Sequence, residues 1–270
     1  MLVNGCLGKK ECEFLRGFQF YNFLMELDME DVEELAAEIR RRLREFIVPD
    51  SRFQYDTSSF IPDFAGSEAA THRLVTSLLY RDADMLFVTP DNALLALRAQ
   101  LIRDRKAFVY PSYGLVRGFR IYEPATRLPP EPWLAASLDG LEHYARPIGL
   151  DQLAEIAPCD LVVAGASAVG ANGTRFGMGY HYLDCEWPML SVTGFLREGI
   201  LAVTIVHDCQ LADRRVDPPV GHAPVHHAYT PVEVRYFNPT TSADRSGAPA
   251  FPEEIAGLPV FEEFLALQAR

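Results

Sequence analysis

The densest chemistry in the sequence lies between Asn172 and Trp187, NGTRFGMGYHYLDCEW, directly after the apolar run DLVVAGASAV. Gly173, Gly177 and Gly179 lack a Cβ, so backbone N–H groups there can approach an anion closely, and Arg175 adds a planar fork of donors that matches two oxygens at once. That combination suits phosphate. The loop lacks the G-x-x-x-x-G-K-[ST] spacing of a P-loop, so its glycines are equally compatible with a sharp strand-to-helix turn. A second chemistry is written in the histidines. His181, His207, His222, His226 and His227, with Asp184 and Asp208, would make a metal site or an acid–base group if they converged at the strand ends. The adjacent His226 and His227 argue against a shared metal, because neighbours on a strand point to opposite faces. His207, closing an apolar run, reads as a hydrogen-bonded core histidine. His181 lies inside the glycine loop and is the histidine singled out for catalysis. Cys185 and Cys209 flank the region and read as small buried side chains, since a nucleophilic thiol needs both a base and exposure.

Such residues need elements to hold them. From Asp28, DMEDVEELAAEIRRRLREF places acidic residues in its first turn, Val32, Leu35, Ala36, Ile39 and Leu43 at helical spacing, and arginines toward its end. This is the pattern of an amphipathic helix matched to its dipole. A second helix is predicted over 64–80, capped by Ser67. Strands are predicted at 84–90, 106–112, 159–169 and 200–208, with helices at 91–105, 149–157 and around 186–198, and a proline-rich loop near 123–132. Short apolar strands alternating with helices predict βαβ units and a mainly parallel sheet buried on both faces, with ligands collecting at the carboxyl ends of the strands. The glycine loop follows such an end. Residues 1–28 read as an extension, disordered or forming an oligomer surface. Residues 29–237 read as the α/β domain, and 238–270 as a polar linker and a helix at 253–268.

With 49% hydrophobic residues over 270 positions, the chain can bury a full core, and no apolar run reaches the length that spans a bilayer. A net charge of −12 argues against non-specific nucleic-acid binding, which rests on clustered Lys and Arg. The basic run Arg40, Arg41, Arg42 and Arg44 reads as a solvated helix face except at Arg40. Cys6, Cys12, Cys159, Cys185 and Cys209 are odd in number and form no C-x-x-C pair, so free thiols in a reducing compartment are expected. A soluble cytoplasmic protein with a small-molecule substrate follows from these features, with neither nucleic acid nor membrane as partner and a homo-oligomer as one option.

The order of residues in GTRFGMGYHYLD resembles the G-x-R-[LI]-G-x-G-x-G-Y-[YA]-D signature of the 5-formyltetrahydrofolate cyclo-ligase family, also called methenyltetrahydrofolate synthetases. Gly173, Arg175, Gly177, Gly179, Tyr182 and Asp184 fall on matching positions. AAEIRRRL resembles the family's N-terminal basic helix, and VHDCQ with TPVEVRYF its last core strands. IPDFAGSEAA and TPDNALLALR resemble the divergent branch of methenyltetrahydrofolate synthase domain-containing proteins. The resemblance implies a three-layer α/β/α fold of the ribose-5-phosphate-isomerase and CoA-transferase type, binding ATP and Mg²⁺. It implies that Arg40, Arg175 and the amides of Gly177 and Gly179 hold nucleotide phosphates, that Asp184 helps hold Mg²⁺, and that Tyr182 sits against a folate-like, formyl-bearing substrate.

Several positions depart from the family pattern. Ala36 stands where a phosphate-binding lysine is expected, His181 replaces the third glycine of the loop, and Tyr180 occupies a position often held by lysine. In HAPVHH, His222 is kept, while Ala223 and His226 replace aspartates. Each lost charge-assisted bond to phosphate costs roughly 1.5–3 kcal/mol. Three readings follow. The first is an ATP- and Mg²⁺-dependent enzyme that cyclises an N-formyl substrate. The second is an ATP-independent isomerase, lyase or cyclase using His181 as acid or base. The third is a non-catalytic protein that binds folate or nucleotide.

Overall fold

The computed structural model describes residues 34–50, 60–124, 129–177, 182–218, 221–223, 225–239 and 251–270. The expectations for residues 1–28, for Gly179 and for His181 lie outside these. Helix α1 spans 34–43, and Leu35 and Ile39 pack on Ala168, Phe176 and Ala212. The expected helix over 64–80 is two helices, α2 (Ser67–Val75) and α3 (Leu78–Asp82). The break falls at Ser77, whose hydroxyl accepts from the Tyr80 N–H and so starts a new helix. Gly66, not Ser67, is the cap residue of α2.

Strand β1 (Met85–Val88) leads through a 3₁₀ turn at Asn92–Leu94 into α4 (Leu95–Arg103), then β2 (Ala107–Pro111) and β3 (Phe119–Tyr122). Helices α5 (Pro132–Ala136) and α6 (Leu138–Tyr144) precede β4 (Arg146–Ile148) and a single turn, α7 (Leu150–Leu153). The run expected as one strand over 159–169 divides into β5 (Leu161–Ala164) and β6 (Ala168–Val169), and β6 pairs with β7 (Arg175–Phe176) in a hairpin outside the main sheet. Helix α8 (Tyr182–Val192) starts earlier than expected. After it come β8 (Ala202–Ile205), β9 (His227–Tyr229), β10 (Val234–Tyr236), α9 (Glu253–Ala256) and α10 (Pro259–Gln268).

The sheet has eight strands in the order β10-β9-β8-β5-β1-β2-β3-β4. Its central pairs, β9–β8, β8–β5, β5–β1 and β1–β2, are parallel, while β10, β3 and β4 add antiparallel margins. This is the mainly parallel α/β class that the sequence predicts. Alternation along the strands sorts the core into two halves. Leu86, Val88, Phe108, Tyr110, Leu161, Val163, Val203 and Ile205 face α2, α4, α5 and α6. Met85, Phe87, Val109, Val162, Ala164 and Ala202 face α8 and the C-terminal helices, with Ile255, Val260 and Phe264 in the same core. Burial on both faces explains why these strands read as unbroken apolar runs. Among the described residues no helix is long and apolar enough to cross a membrane.

Candidate functional site

From β1 the chain moves to one side, to β2, and from β5 it moves to the other, to β8. A crevice opens at such a switch point, beyond the carboxyl ends of the two strands. Here it is a cavity of about 80 Å³. Its walls come from the β1 end (Thr89, Asp91), the β2–β3 loop (Ser112, Tyr113, Gly114), the hairpin (Arg175, Gly177) and α8 (Tyr182, Leu183, Glu186).

The β1 wall is tightly specified. The Gly165 N–H, just past β5, donates to Thr89 Oγ1 at 3.0 Å and to Asp91 Oδ2 at 3.1 Å, and the Thr89 hydroxyl itself donates to Asp91 Oδ2. A Cβ at Gly165 would lie 2.4 Å from that carboxylate oxygen, so only glycine lets Asp91 close over the strand end. Arg98, on α4 and 1% exposed, donates to the carbonyls of Thr89 (3.1 Å), Asp91 (2.9 Å) and Ala136 (3.0 Å), tying the β1 end to the α5–α6 corner. In the β2–β3 loop Gly114, Leu115 and Gly118 all take positive φ. For Leu115 that is a strained conformation, the kind that persists where surrounding packing over-determines it and that clusters at functional sites.

The hairpin wall carries the charge. Arg175 pairs with Val169 across β6–β7, and the turn between them is closed by Gly173 at φ 80°. A Cβ at Gly173 would approach the Val225 carbonyl to 2.5 Å, so this glycine serves the turn rather than the cavity. The Arg175 side chain is buried, at 3% exposure for the residue. Nη1 donates to the Gly165 carbonyl at 3.3 Å, and Nη2 lies 3.6 Å from Asp184 Oδ1 in an ion pair too long for a hydrogen bond. Nε and Nη2 therefore have no hydrogen-bond partner.

Helix α8 presents two faces. Tyr182 and Glu186, four residues apart, lie on one side and line the cavity with Leu183. Asp184 is turned away from them. Its Oδ1 accepts from the Ala223 N–H at 2.8 Å and its Oδ2 meets His222 Nδ1 at 3.2 Å. Glu186 is 2% exposed and its Oε2 has no partner. Burial pushes its carboxyl up to about 8, with Asp91 and Asp184 adding to the rise and Arg175 opposing it. Burial also raises the Tyr182 phenol and pushes the Cys185 thiol up to about 12, which leaves that thiol without nucleophilic character near neutrality.

Arg175, Gly177 and Tyr182 are thus brought together, with Asp184 behind the arginine. Arg40 sits half-buried on α1 and does not line the cavity. The described histidines of the expected set, His207, His222, His226 and His227, do not converge. His207 stacks on Phe46, with ring centroids 4.0 Å apart, and accepts from the Cys209 N–H, so it is hydrogen-bonded and packed as expected. Cys209 is half-buried rather than buried. His226 accepts from the Ala202 N–H, and among the described histidines only His222 touches the site. Among the described residues no three His, Cys, Asp or Glu side chains are grouped to hold a metal. Sequence reasoning missed Asp91 and Glu186. Both had a readable signal: Asp91 follows the end of a predicted strand, and Glu186 is one helical turn beyond Tyr182.

A model of the 5-formyltetrahydrofolate cyclo-ligase family matches residues 29–226. The chain belongs to this family. Curated relatives of this chain are methenyltetrahydrofolate synthase domain-containing proteins, 29% identical in Danio rerio and 32% identical in Homo sapiens and Bos taurus. Each match covers 155 residues, 57% of this chain and 40% of the relative, so it spans well under half of the relatives' length. An NMR structure of Aquifex aeolicus 5,10-methenyltetrahydrofolate synthetase superposes with a TM-score of 0.45 at 14% identity, covering 82% of this chain and 96% of that one.

Proposed function

We propose that this cyclo-ligase family member activates and cyclises an N-formyl, folate-like substrate at the switch-point cavity, using ATP. The observation that carries the reading is Arg175, a buried guanidinium in the cavity wall whose Nε and Nη2 have no hydrogen-bond partner. Buried donors are nearly always paired, and this adjacent pair has the geometry of a two-oxygen anion receptor. The residues present therefore fit a phosphate. ATP supplies a phosphoryl group to the formyl oxygen, so that attack by a neighbouring nitrogen on the formyl carbon closes the ring and expels phosphate. The chain's part is to position and to exclude water. Arg175 takes the phosphoryl oxygens, with the Gly177 backbone beside it. Tyr182 and Tyr113 border the substrate at the mouth, while Leu138 and Leu183 keep the interior apolar.

Asp184 does not fit the expected magnesium role. Both of its oxygens already accept hydrogen bonds, and a guanidinium stands 3.6 Å away. A cation carried on the nucleotide would instead face Asp91 and Glu186, the carboxyls that line the cavity, consistent with the habit of Mg²⁺ to take one or two carboxylates plus phosphates. The free thiols of Cys159, Cys185 and Cys209 suit a cytoplasmic setting.

The ATP-independent reading draws its support from Ala36, which stands on α1 in place of a phosphate-binding lysine. One assay separates the two. The full chain is incubated with 5-formyltetrahydrofolate, Mg²⁺ and ATP, and methenyl product and ADP are measured together. ADP formed in step with the methenyl product supports the proposal, and product without ADP favours the ATP-independent enzyme. Neither product, with ligand binding retained, leaves a binding protein.

A further inference from the structure

We propose that His222 is a positioning residue for the anion site, fixing Arg175 at two points: its backbone directly and its guanidinium through Asp184. The inference rests on the reading of Arg175 as the anion receptor. The Arg175 N–H donates to His222 Nε2 at 3.1 Å, so Nε2 carries the lone pair and the ring proton sits on Nδ1. That proton points at Asp184 Oδ2, 3.2 Å away. The other carboxylate oxygen takes the Ala223 N–H at 2.8 Å and lies 3.6 Å from Arg175 Nη2. A chain of contacts thus leaves the arginine backbone, passes through imidazole and carboxylate, and returns to the guanidinium of the same residue. The Arg175 and His222 side chains are buried and that of Asp184 is 12% exposed, so solvent competes little.

The hairpin explains why such a brace is needed. Strand β7 has two residues, and its one strand partner is β6. Arg175 therefore has no second ladder to hold its backbone, and the imidazole supplies the acceptor that a neighbouring strand would otherwise provide. Arg175 lines the cavity and its Nε and Nη2 lack hydrogen-bond partners, so the plane of the guanidinium decides whether both donors can meet one phosphoryl group or only one can. Asp184 sets that plane, and His222 sets Asp184. The Ala223 N–H comes from the next residue of the same segment, so one short stretch of chain holds both carboxylate oxygens.

The test uses the full chain with His222→Ala and His222→Asn, since asparagine can keep a donor toward Asp184 while losing the contact to the Arg175 backbone. Three readouts are taken: the ring tautomer from imidazole ¹⁵N–¹H correlations, the Arg175 Nε–H resonance, and inorganic tripolyphosphate binding by calorimetry. The proposal expects the Nδ1–H tautomer in the parent protein. It expects a roughly tenfold to hundredfold loss of tripolyphosphate affinity in His222→Ala, with partial recovery in His222→Asn and a shifted or broadened Nε–H peak. An Nε2–H tautomer, or an Nε–H peak and affinity unchanged in His222→Ala, overturns it. If the parent protein binds no tripolyphosphate, the anion reading falls. The tautomer and the Nε–H peak still decide the positioning role: the same changes in His222→Ala support it and their absence overturns it.

Discussion

Two buried arginines, Arg175 in the cavity wall and Arg98 bonded to the β1 end that forms another part of that wall, use their donors in opposite ways. Arg98 is 1% exposed and gives three hydrogen bonds to the carbonyls of Thr89, Asp91 and Ala136. Arg175 is 3% exposed, gives one bond to a carbonyl, and keeps Nε and Nη2 without a hydrogen-bond partner. Burying a guanidinium is costly unless its donors are matched. Arg98 is matched by the fold, and it holds the β1 end to the α5–α6 corner. Arg175 is matched only in part, which is the signature of a group waiting for an external acceptor. Burial alone distinguishes nothing here; the destination of each N–H does.

The comparison can be broken most easily on the Arg98 side. Arg98→Met takes a donor away from three carbonyls and is expected to cost about 3–5 kcal/mol of stability, read as a lower urea midpoint. Its phosphate affinity per folded molecule should fall far less. Arg175→Met is expected to do the reverse. Tripolyphosphate and nucleotide binding should weaken by about a hundredfold or more, while the melting temperature without ligand falls less than in Arg98→Met, because one carbonyl bond and one long ion pair to Asp184 are lost together with two unmatched donors. Equal stability losses in the two variants would erase the distinction.

Glu186 sharpens it. Its folded value of about 8 lies above the ordinary carboxylate range, so between roughly pH 4.5 and 8 the native protein keeps a proton that the unfolded chain releases. Stability of the parent protein therefore falls as pH rises through that window. Glu186→Gln stays neutral throughout, and its advantage should grow to on the order of 4 kcal/mol by pH 8, then level off. A gap that does not change with pH would mean that Arg175 already holds Glu186 ionised and has a full partner after all. The smallest effect is expected at Gly173→Ala. A positive φ and an oxygen 2.5 Å from the new Cβ should cost about 1–2 kcal/mol in denaturant melts, with no change in phosphate affinity once the fold is saturated.

How much of this was legible in the sequence varies with the range of the interactions involved. The central strands were readable because burial on both faces makes them short apolar runs, as in MLFV and LVVA. The antiparallel margins were not, since Phe119–Tyr122 and Arg146–Ile148 are brief, carry arginines and lie beside proline-rich segments. Ser77 ends one helix and caps the next, a choice between two local roles that helical periodicity does not reveal. At the site, Arg175, Gly177 and Tyr182 were found because they are adjacent in the chain. Asp91 and Glu186 meet across 95 residues of sequence, through strand order alone, and no spacing rule joins them. The contacts of Asp184 were invisible for the same reason: His222 and Ala223, whose ring and N–H meet its oxygens, come from a distant segment.

The central claim is that the unmatched donors of Arg175 receive the phosphates of a nucleotide. Its most direct test is a calorimetric titration of Mg-ATP into the full chain and into Arg175→Met at one pH and salt concentration. The account predicts saturable binding by the parent protein, and none by the variant at the same concentrations although the variant still unfolds in a cooperative transition. Equal binding by both proteins, or by neither, would contradict it.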